Sequence, residues 1–408
     1  MADRVDGTLA WLRHRNRQHV IDFLRERGAS SQSEIAHATG LSRTTVHTLV
    51  AQLREAGKVD QVETKRPGER GGRPAVAYTL RESFEAVVGI DFGHSHVQVA
   101  VADLGHRVLA ERHTDLDVNH QAALALETSA KMVGEVLADA GVRRSDVRGV
   151  GIGIPGPVDR THGTAGSSTI LPDWVGLGIA REMRERLGMP VEIENDANLG
   201  ALAELTWGAG RGCLNFAYVK AATGIGAGLV IDGRLIRGAS GTAGEIGHTT
   251  LNERGILCYC GNRGCLETVA SGPAILGLVG AAGAEGLTLS RVVELALAGD
   301  VRCRRAVSDA GREIGVAVAG LCNLINPERV IIGGLLSRAG WILIDPMRES
   351  IRRHAVQAAA EKVEVLPAVF VQRAELLGAL ALALHEHGPL PERELDATAE
   401  AQRISASV

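Results

Sequence analysis

Val87-Val-Gly-Ile-Asp91-Phe-Gly93-His-Ser95-His96 runs into Val97-Gln-Val-Ala-Val-Ala-Asp103-Leu-Gly105-His-Arg-Val108. An apolar run, a glycine turn, an alternating run and a second turn read as strand, turn, strand, turn, strand. Residues 216–236 repeat the plan as Phe216-Ala-Tyr-Val-Lys-Ala-Ala-Thr223-Gly224-Ile-Gly226-Ala-Gly228-Leu-Val-Ile-Asp232-Gly233-Arg-Leu-Ile236. Placing Asp103 on Asp232 superposes both turns and both strands. Two copies of a strand-rich unit, each followed by helical sequence, predict an α/β body of two similar lobes with a cleft between them. Glycine-rich turns can bring backbone N–H groups up to a phosphate. That makes Asp91 and Gly93, and in the second copy Thr223, Gly224 and Gly226, candidate phosphate-loop residues. Ordinary hairpins also need glycine; the duplication is what raises the reading above that.

Between the copies, Val150-Gly-Ile-Gly-Ile-Pro155-Gly156-Pro157-Val158-Asp159 is an apolar strand ending in a rigid loop. Pro190-Val-Glu-Ile-Glu194-Asn195-Asp196 is a strand that delivers an amide and a carboxylate to a helix start. Asp196 is a candidate general base, since a carboxylate in a cleft can take a hydroxyl proton. It can equally cap the helix beginning at Ala197. Further on, Glu245-Ile-Gly247-His248 and Glu267 add two carboxylates and an imidazole. Such groups converging on one cleft suit a polyol with many hydroxyls, such as a sugar.

His248 is followed by Cys258-Tyr-Cys260-Gly-Asn-Arg-Gly-Cys265. Three thiolates and one imidazole fill all four positions of a tetrahedral zinc and leave none for water, which predicts a structural metal. A disulfide is the alternative, but Cys258 and Cys260 are too close in sequence to pair comfortably. Cys213, Cys303 and Cys322 are scattered singly. With no apolar leader after Met1 and no uncharged run long enough to span a bilayer, the chain reads as cytoplasmic, with reduced thiols and no membrane partner.

The 408 residues are too many for one ordinary core and predict two or three domains. Net charge is −4, unevenly spread. Residues 1–82 hold fourteen Lys and Arg against ten Asp and Glu, whereas the remainder holds thirty against thirty-eight. A basic front on an acidic body predicts that only the front meets a polyanion. There, Val20, Ile21, Phe23 and Leu24 form one helical stripe. A second short helix opens at Ser31-Gln-Ser33-Glu34, with a hydroxyl cap candidate ahead of an acidic first turn; Gly40 breaks the chain, and a third helix ends at Gly57. Two helices joined by a short glycine-containing turn make a helix-turn-helix whose third helix would enter the major groove. Its early residues Ser42, Arg43, Thr44, Thr45 and His47 would face base edges, while Val46, Leu49, Val50 and Leu53 face inward. Residues 58–80 read as a two-stranded wing with a basic tip from Arg66 to Pro74. Arg70 and Arg73 could reach phosphates or a narrow minor groove. A flexible charged linker is the alternative for that tip.

With these residues in hand, the chain resembles the ROK family of repressors, open reading frames and kinases. The matching motifs are Asp91-x-Gly93, Gly153-x-Pro155-Gly156-x-Val158-Asp159, Glu194-Asn195-Asp196, Thr223-Gly224-x-Gly226, Glu245-x-Gly247-His248 and Cys258-x-Cys260-Gly261-x-x-Gly264-Cys265-x-Glu267. The resemblance implies actin-like, ribonuclease-H-type lobes and zinc on His248, Cys258, Cys260 and Cys265. It also implies a sugar, or sugar phosphate, held by Asn195, Asp196, Glu245, His248 and Glu267. In family kinases the residue at Asp196 deprotonates the sugar hydroxyl that attacks ATP, so ATP and Mg would matter only if kinase activity is kept. Family kinases usually read Asp-x-Gly-Gly-Thr-Lys at the first loop; here His94 stands where the second glycine would be. Ala222 and Ala227 replace glycines at the second loop. Phosphoryl transfer depends on positioning and charge stabilisation, so these changes should cost much of its rate.

The expectation is therefore a sugar-responsive transcriptional regulator, a repressor by preference, with an ATP-dependent hexose kinase as the alternative. Expected domains are a winged helix-turn-helix at 1–82, a first lobe at 83–195 completed by a helix at 372–386, a second lobe at 196–371 carrying the zinc loop and oligomerisation helices, and a disordered tail at 387–408. Operator DNA with an inverted repeat would be read by a homodimer or homotetramer. Val316, Val318, Leu321 and Leu324 are expected to form the buried face of a helix before Asn326-Pro327.

Overall fold

A computed structural model describes residues 16–17, 19–24, 27–55, 59–64, 75–80, 85–159, 162–165, 171–281, 283 and 286–387. Arg70, Arg73 and all but the first residue of the 387–408 segment lie outside the described residues. The chain divides into two compact units, residues 1–84 and 85–408.

In the first unit, helix Gln32–Thr39 starts with a reciprocal capping box. Ser31 Oγ accepts from the Glu34 N–H, and the Glu34 carboxylate accepts from the Ser31 N–H at 2.8 Å. Gly40, at φ 70°, ends it in the left-handed region that glycine adopts without strain. Helix Arg43–Glu55 follows, and a hairpin pairs Val59–Thr64 antiparallel with Ala75–Leu80. Val20, Leu24, Ile35, Val46, Leu49, Val50 and Leu53 are buried together. Tyr78 joins this core and exchanges two 2.8 Å backbone hydrogen bonds with Ser30, which ties the hairpin to the helices.

The second unit contains two five-stranded sheets of one topology. The first is ordered Val108–Asp115, His96–Asp103, Ala86–Phe92, Val147–Ile154, Val191–Asn195. The second is ordered Arg234–Ile236, Ile225–Ile231, Phe216–Ala221, Arg329–Gly333, Glu364–Pro367. In each, three antiparallel strands are extended by two parallel ones. The inner parallel strands Val147–Ile154 and Arg329–Gly333 are mostly apolar and buried, as coverage of both faces demands. Helix Ala374–His387 returns from the second half of the chain to bury Leu376, Leu377 and Leu380 against Val87, Ala100 and Ala102 of the first sheet. It also crosses helix Asp196–Thr206 so closely that a β-carbon at Gly378 would lie 2.1 Å from the Leu199 carbonyl oxygen. These two helices form the seam between the lobes.

One expectation is corrected. Helix Val301–Ile325 buries Gly311, Ile314, Gly315, Ala317, Val318 and Cys322, while Leu324 is 84% exposed and Val316 and Leu321 are only partly covered. The neighbouring helix Trp341–His354 approaches so near that a β-carbon at Gly311 would meet the Leu343 carbonyl at 2.3 Å. Close approach selects small residues for the contact face and leaves the larger aliphatics outside it. No helix among the described residues is long and apolar enough to cross a membrane.

Candidate functional site

The strand Val191–Asn195 ends at the seam, and its last residues start the site. Asn195, not Asp196, is the N-cap of helix Asp196–Thr206. Its Oδ1 accepts from the Ala197 and Asn198 N–H groups at 2.8 and 3.3 Å, and its Nδ2 donates to the Gly156 carbonyl at 2.8 Å. The proline-glycine loop is thereby pinned to the helix start. Asp196 is the first helical residue instead. One carboxylate oxygen accepts from the Ala197 N–H at 2.7 Å, and the other faces the Lys220 ammonium at 2.9 Å. Lys220 also contacts Glu375 at 2.6 Å. Burial acts to lower the lysine pKa, but the Asp196 and Glu375 carboxylates outweigh it and the net shift is well upward, so the group stays an ammonium. Glu194 is buried, held by Arg237, the Asn198 amide and the Asn195 N–H.

Glu245, His248 and Glu267 come together as the sequence suggests. Glu245 Oε2 lies 3.8 Å from His248 Nε2, and Glu267 Oε2 lies 4.0 Å from His248 Nδ1. Burial, then the negative charges of Asp196 and Glu267, pushes the Glu245 carboxyl up to about 7. Tyr259, between two of the cysteines, sets its hydroxyl 3.2 Å from His248 Nε2.

Both candidate phosphate loops are covered by side chains. A β-carbon at Gly93 would lie 2.2 Å from the His96 ring, and His96 Nε2 bonds Asp91 Oδ2 at 3.0 Å. The obstructing ring is thus His96, not His94, which turns to Asn119 at 3.0 Å. The hydrogen bond that the His96 ring donates to Asp91 raises the His96 pKa above its usual value, against the opposing effect of burial. At the second loop, Glu267 Oε1 accepts the Ile225 N–H at 3.0 Å and sits 2.7 Å from where a Gly224 β-carbon would be. Thr223 and Gly226 lie in the same turn and strand.

His248, Cys258, Cys260 and Cys265 place their ligand atoms within 4.8 Å of one another. Cys258 Sγ to His248 Nδ1 and Cys260 Sγ to Cys265 Sγ are both 3.7 Å, far beyond a disulfide and close to the edge of a tetrahedron with bonds of about 2.3 Å. All six cysteines are free. A turn at Gly261, φ 94°, lets the Gly261 N–H bond the Cys258 carbonyl at 3.0 Å and folds the cysteines back on one another. The donor set suits a metal held for structure.

In the first unit, Ser42, Arg43, Thr44 and His47 are exposed and Thr45 is half-buried. Ser42 Oγ contacts the Thr45 hydroxyl at 2.8 Å and accepts the Thr45 N–H at 3.1 Å, so this serine is engaged in starting the helix. Arg43, Thr44 and His47 stand on the outward face.

The ROK family profile matches residues 87–386, most of the chain. The chain belongs to the ROK family. An IclR helix-turn-helix domain matches residues 19–63. The xylose repressor of Caldicellulosiruptor bescii is 29% identical over 399 residues, covering 95% of this chain and 99% of the relative. The glucokinase of Thermotoga maritima is 33% identical over 311 residues, 72% of this chain and 96% of its own length. Among solved structures, a ROK family transcriptional regulator homologous to the E. coli Mlc protein aligns with TM-score 0.71 at 26% identity, covering 92% of this chain and 98% of the other. Relatives that match nearly end to end thus include xylose repressors and the DNA-binding transcriptional repressor Mlc of Escherichia coli, whereas the glucokinase spans a smaller share of this chain.

Sequence reading missed Lys220, Glu375, Arg237 and Tyr259. Lys220 carried a signal, a lone charge in the otherwise apolar strand Phe216–Ala221. Glu375 carried none, being 155 positions from its partner.

Proposed function

We propose that this chain is a transcriptional repressor whose affinity for operator DNA is set by a sugar bound between the lobes of its ROK unit. The observation that carries the reading is the state of the cleft. The groups that face hydroxyls, Asp196, Glu245, His248 and Glu267, converge with Asn195 at the seam. Meanwhile the glycines that would admit phosphates lie under His96 and Glu267. Repression follows from the IclR-type helix-turn-helix and from end-to-end relatives that are repressors. Zinc on His248, Cys258, Cys260 and Cys265 would hold the loop that carries Tyr259 and leads into Glu267.

A ligand shifts such an equilibrium only by its differential affinity for two arrangements. The sugar must therefore favour one lobe arrangement, and a homodimer or homotetramer must convert that preference into half-site spacing on an inverted repeat. The division of labour would follow residues 1–82, 83–195 with 372–386, and 196–371, in a cytoplasmic protein. A repressor of xylose genes among the relatives makes a pentose the first sugar to test. Fluorescence anisotropy with the chain's own upstream DNA should show specific binding weakened by one sugar; no retention of any upstream fragment, with or without sugars, ends this reading.

A hexose kinase is the second reading, favoured by the Asp196 carboxylate and by the identity with a glucokinase. ADP release over a sugar panel, abolished in Asp196→Asn, would establish it.

A further inference from the structure

Lys220 is the feature of the cleft that neither motif nor resemblance explains. It sits near the end of the apolar strand Phe216–Ala221, one-fifth exposed, with its ammonium 2.9 Å from Asp196 and 2.6 Å from Glu375. These partners come from different elements, the start of helix Asp196–Thr206 and the start of helix Ala374–His387. Asp91, held by His96, lies close enough to act electrostatically on Glu375.

We propose that the charge balance around Lys220 sets the ligand class of this cleft: the ammonium ties up Asp196 and Glu375, and the carboxylates left over make the site selective for an uncharged sugar and closed to sugar phosphates and metal-bound nucleotides. The proposal rests on the sugar-sensor reading and narrows it. Among the described residues, the cleft carries the carboxylates of Asp91, Glu194, Asp196, Glu245, Glu267 and Glu375 against the cations Lys220, Arg237 and His96. All three cations are already paired. A phosphate dianion would enter an excess of negative charge with no free cation to meet it. A divalent ion could compensate at Asp196 and Glu375, but both of these carboxylates are already paired with Lys220. A neutral sugar avoids both obstacles. Its hydroxyls can donate to Asp196 and Glu267 without adding charge.

The test is calorimetric titration of zinc-loaded, full-length protein with xylose, glucose, glucose 6-phosphate, Mg-AMPPNP and Mn2+. The expected result is binding of a neutral sugar, with glucose 6-phosphate at least tenfold weaker than the best neutral sugar and no heat from AMPPNP or Mn2+. Lys220→Met should gain Mn2+ binding, because two carboxylates lose their cation; Lys220→Arg should keep the wild-type ligand preference. Should Lys220→Met fail to fold, Lys220→Met with Glu375→Gln removes one charge of each sign, and glucose 6-phosphate should remain the weaker ligand. Wild-type binding of glucose 6-phosphate as tight as the best neutral sugar, or of Mg-AMPPNP, overturns the proposal and leaves the sensor reading standing. Binding of no carbohydrate in either form overturns both.

Discussion

The contact between His96 Nε2 and Asp91 Oδ2 depends on a proton, and the proton gives it a pH signature. Asp91 raises the folded-state pKa of His96 above the usual value of 6.5. The stabilisation is therefore fully present below about pH 6.5 and is lost as pH rises through the raised pKa. Glu375 strengthens the shift, Lys220 opposes it, and His113 stacks on the ring at a centroid distance of 5.4 Å. Urea unfolding of wild type and His96→Gln at a series of pH values should show the largest difference near pH 6, closing toward pH 9. A difference that grows with pH would mean the ring is held neutral. On the first unit, Arg43 is exposed on the outward face of its helix. Arg43→Ala should weaken operator binding by about 1–3 kcal/mol in anisotropy titrations, as expected for loss of an arginine–base contact.

Elements show how far local pattern reaches. The paired strand-turn-strand units were legible because each combines period-two alternation with turn glycines, and the duplicated topology follows from them. The capping box at Ser31 was half legible: the hydroxyl was evident, while Glu34 was read only as a first-turn acid. The contact face of helix Val301–Ile325 was not legible, because that face is decided by how near another helix comes. Four large aliphatics advertise burial, yet Gly311 and Gly315 allow the approach and leave Leu324 in solvent. Gly378→Val tests the same physics at the lobe seam. Its first added carbon would fall 2.1 Å from a backbone oxygen that cannot swing aside, so a loss on the order of 1–3 kcal/mol is expected in chemical denaturation. The loop that carries the His248, Cys258, Cys260 and Cys265 cluster is likewise an element with little apolar support, since Ile256, Leu257 and Tyr259 are exposed. Stripping the metal with a chelator, or Cys265→Ser, should lower Tm by on the order of 10 °C and abolish one equivalent of zinc by elemental analysis. An unchanged Tm would leave the cluster without a structural role.

For the whole molecule, the motifs in the cleft were readable because each is local in sequence, whereas the charge balance that decides what enters it is not. Lys220 meets Glu375 only after the chain has built the second sheet and come back across the seam. That return has a consequence for synthesis on the ribosome. The operator-reading unit can fold once its first 84 residues have emerged. The first sheet is complete by Asn195, yet one of its faces stays bare until residues 374–387 are made. A stalled nascent chain would thus present a finished reading head on a body still exposing a greasy wall, ready prey for chaperones and proteases.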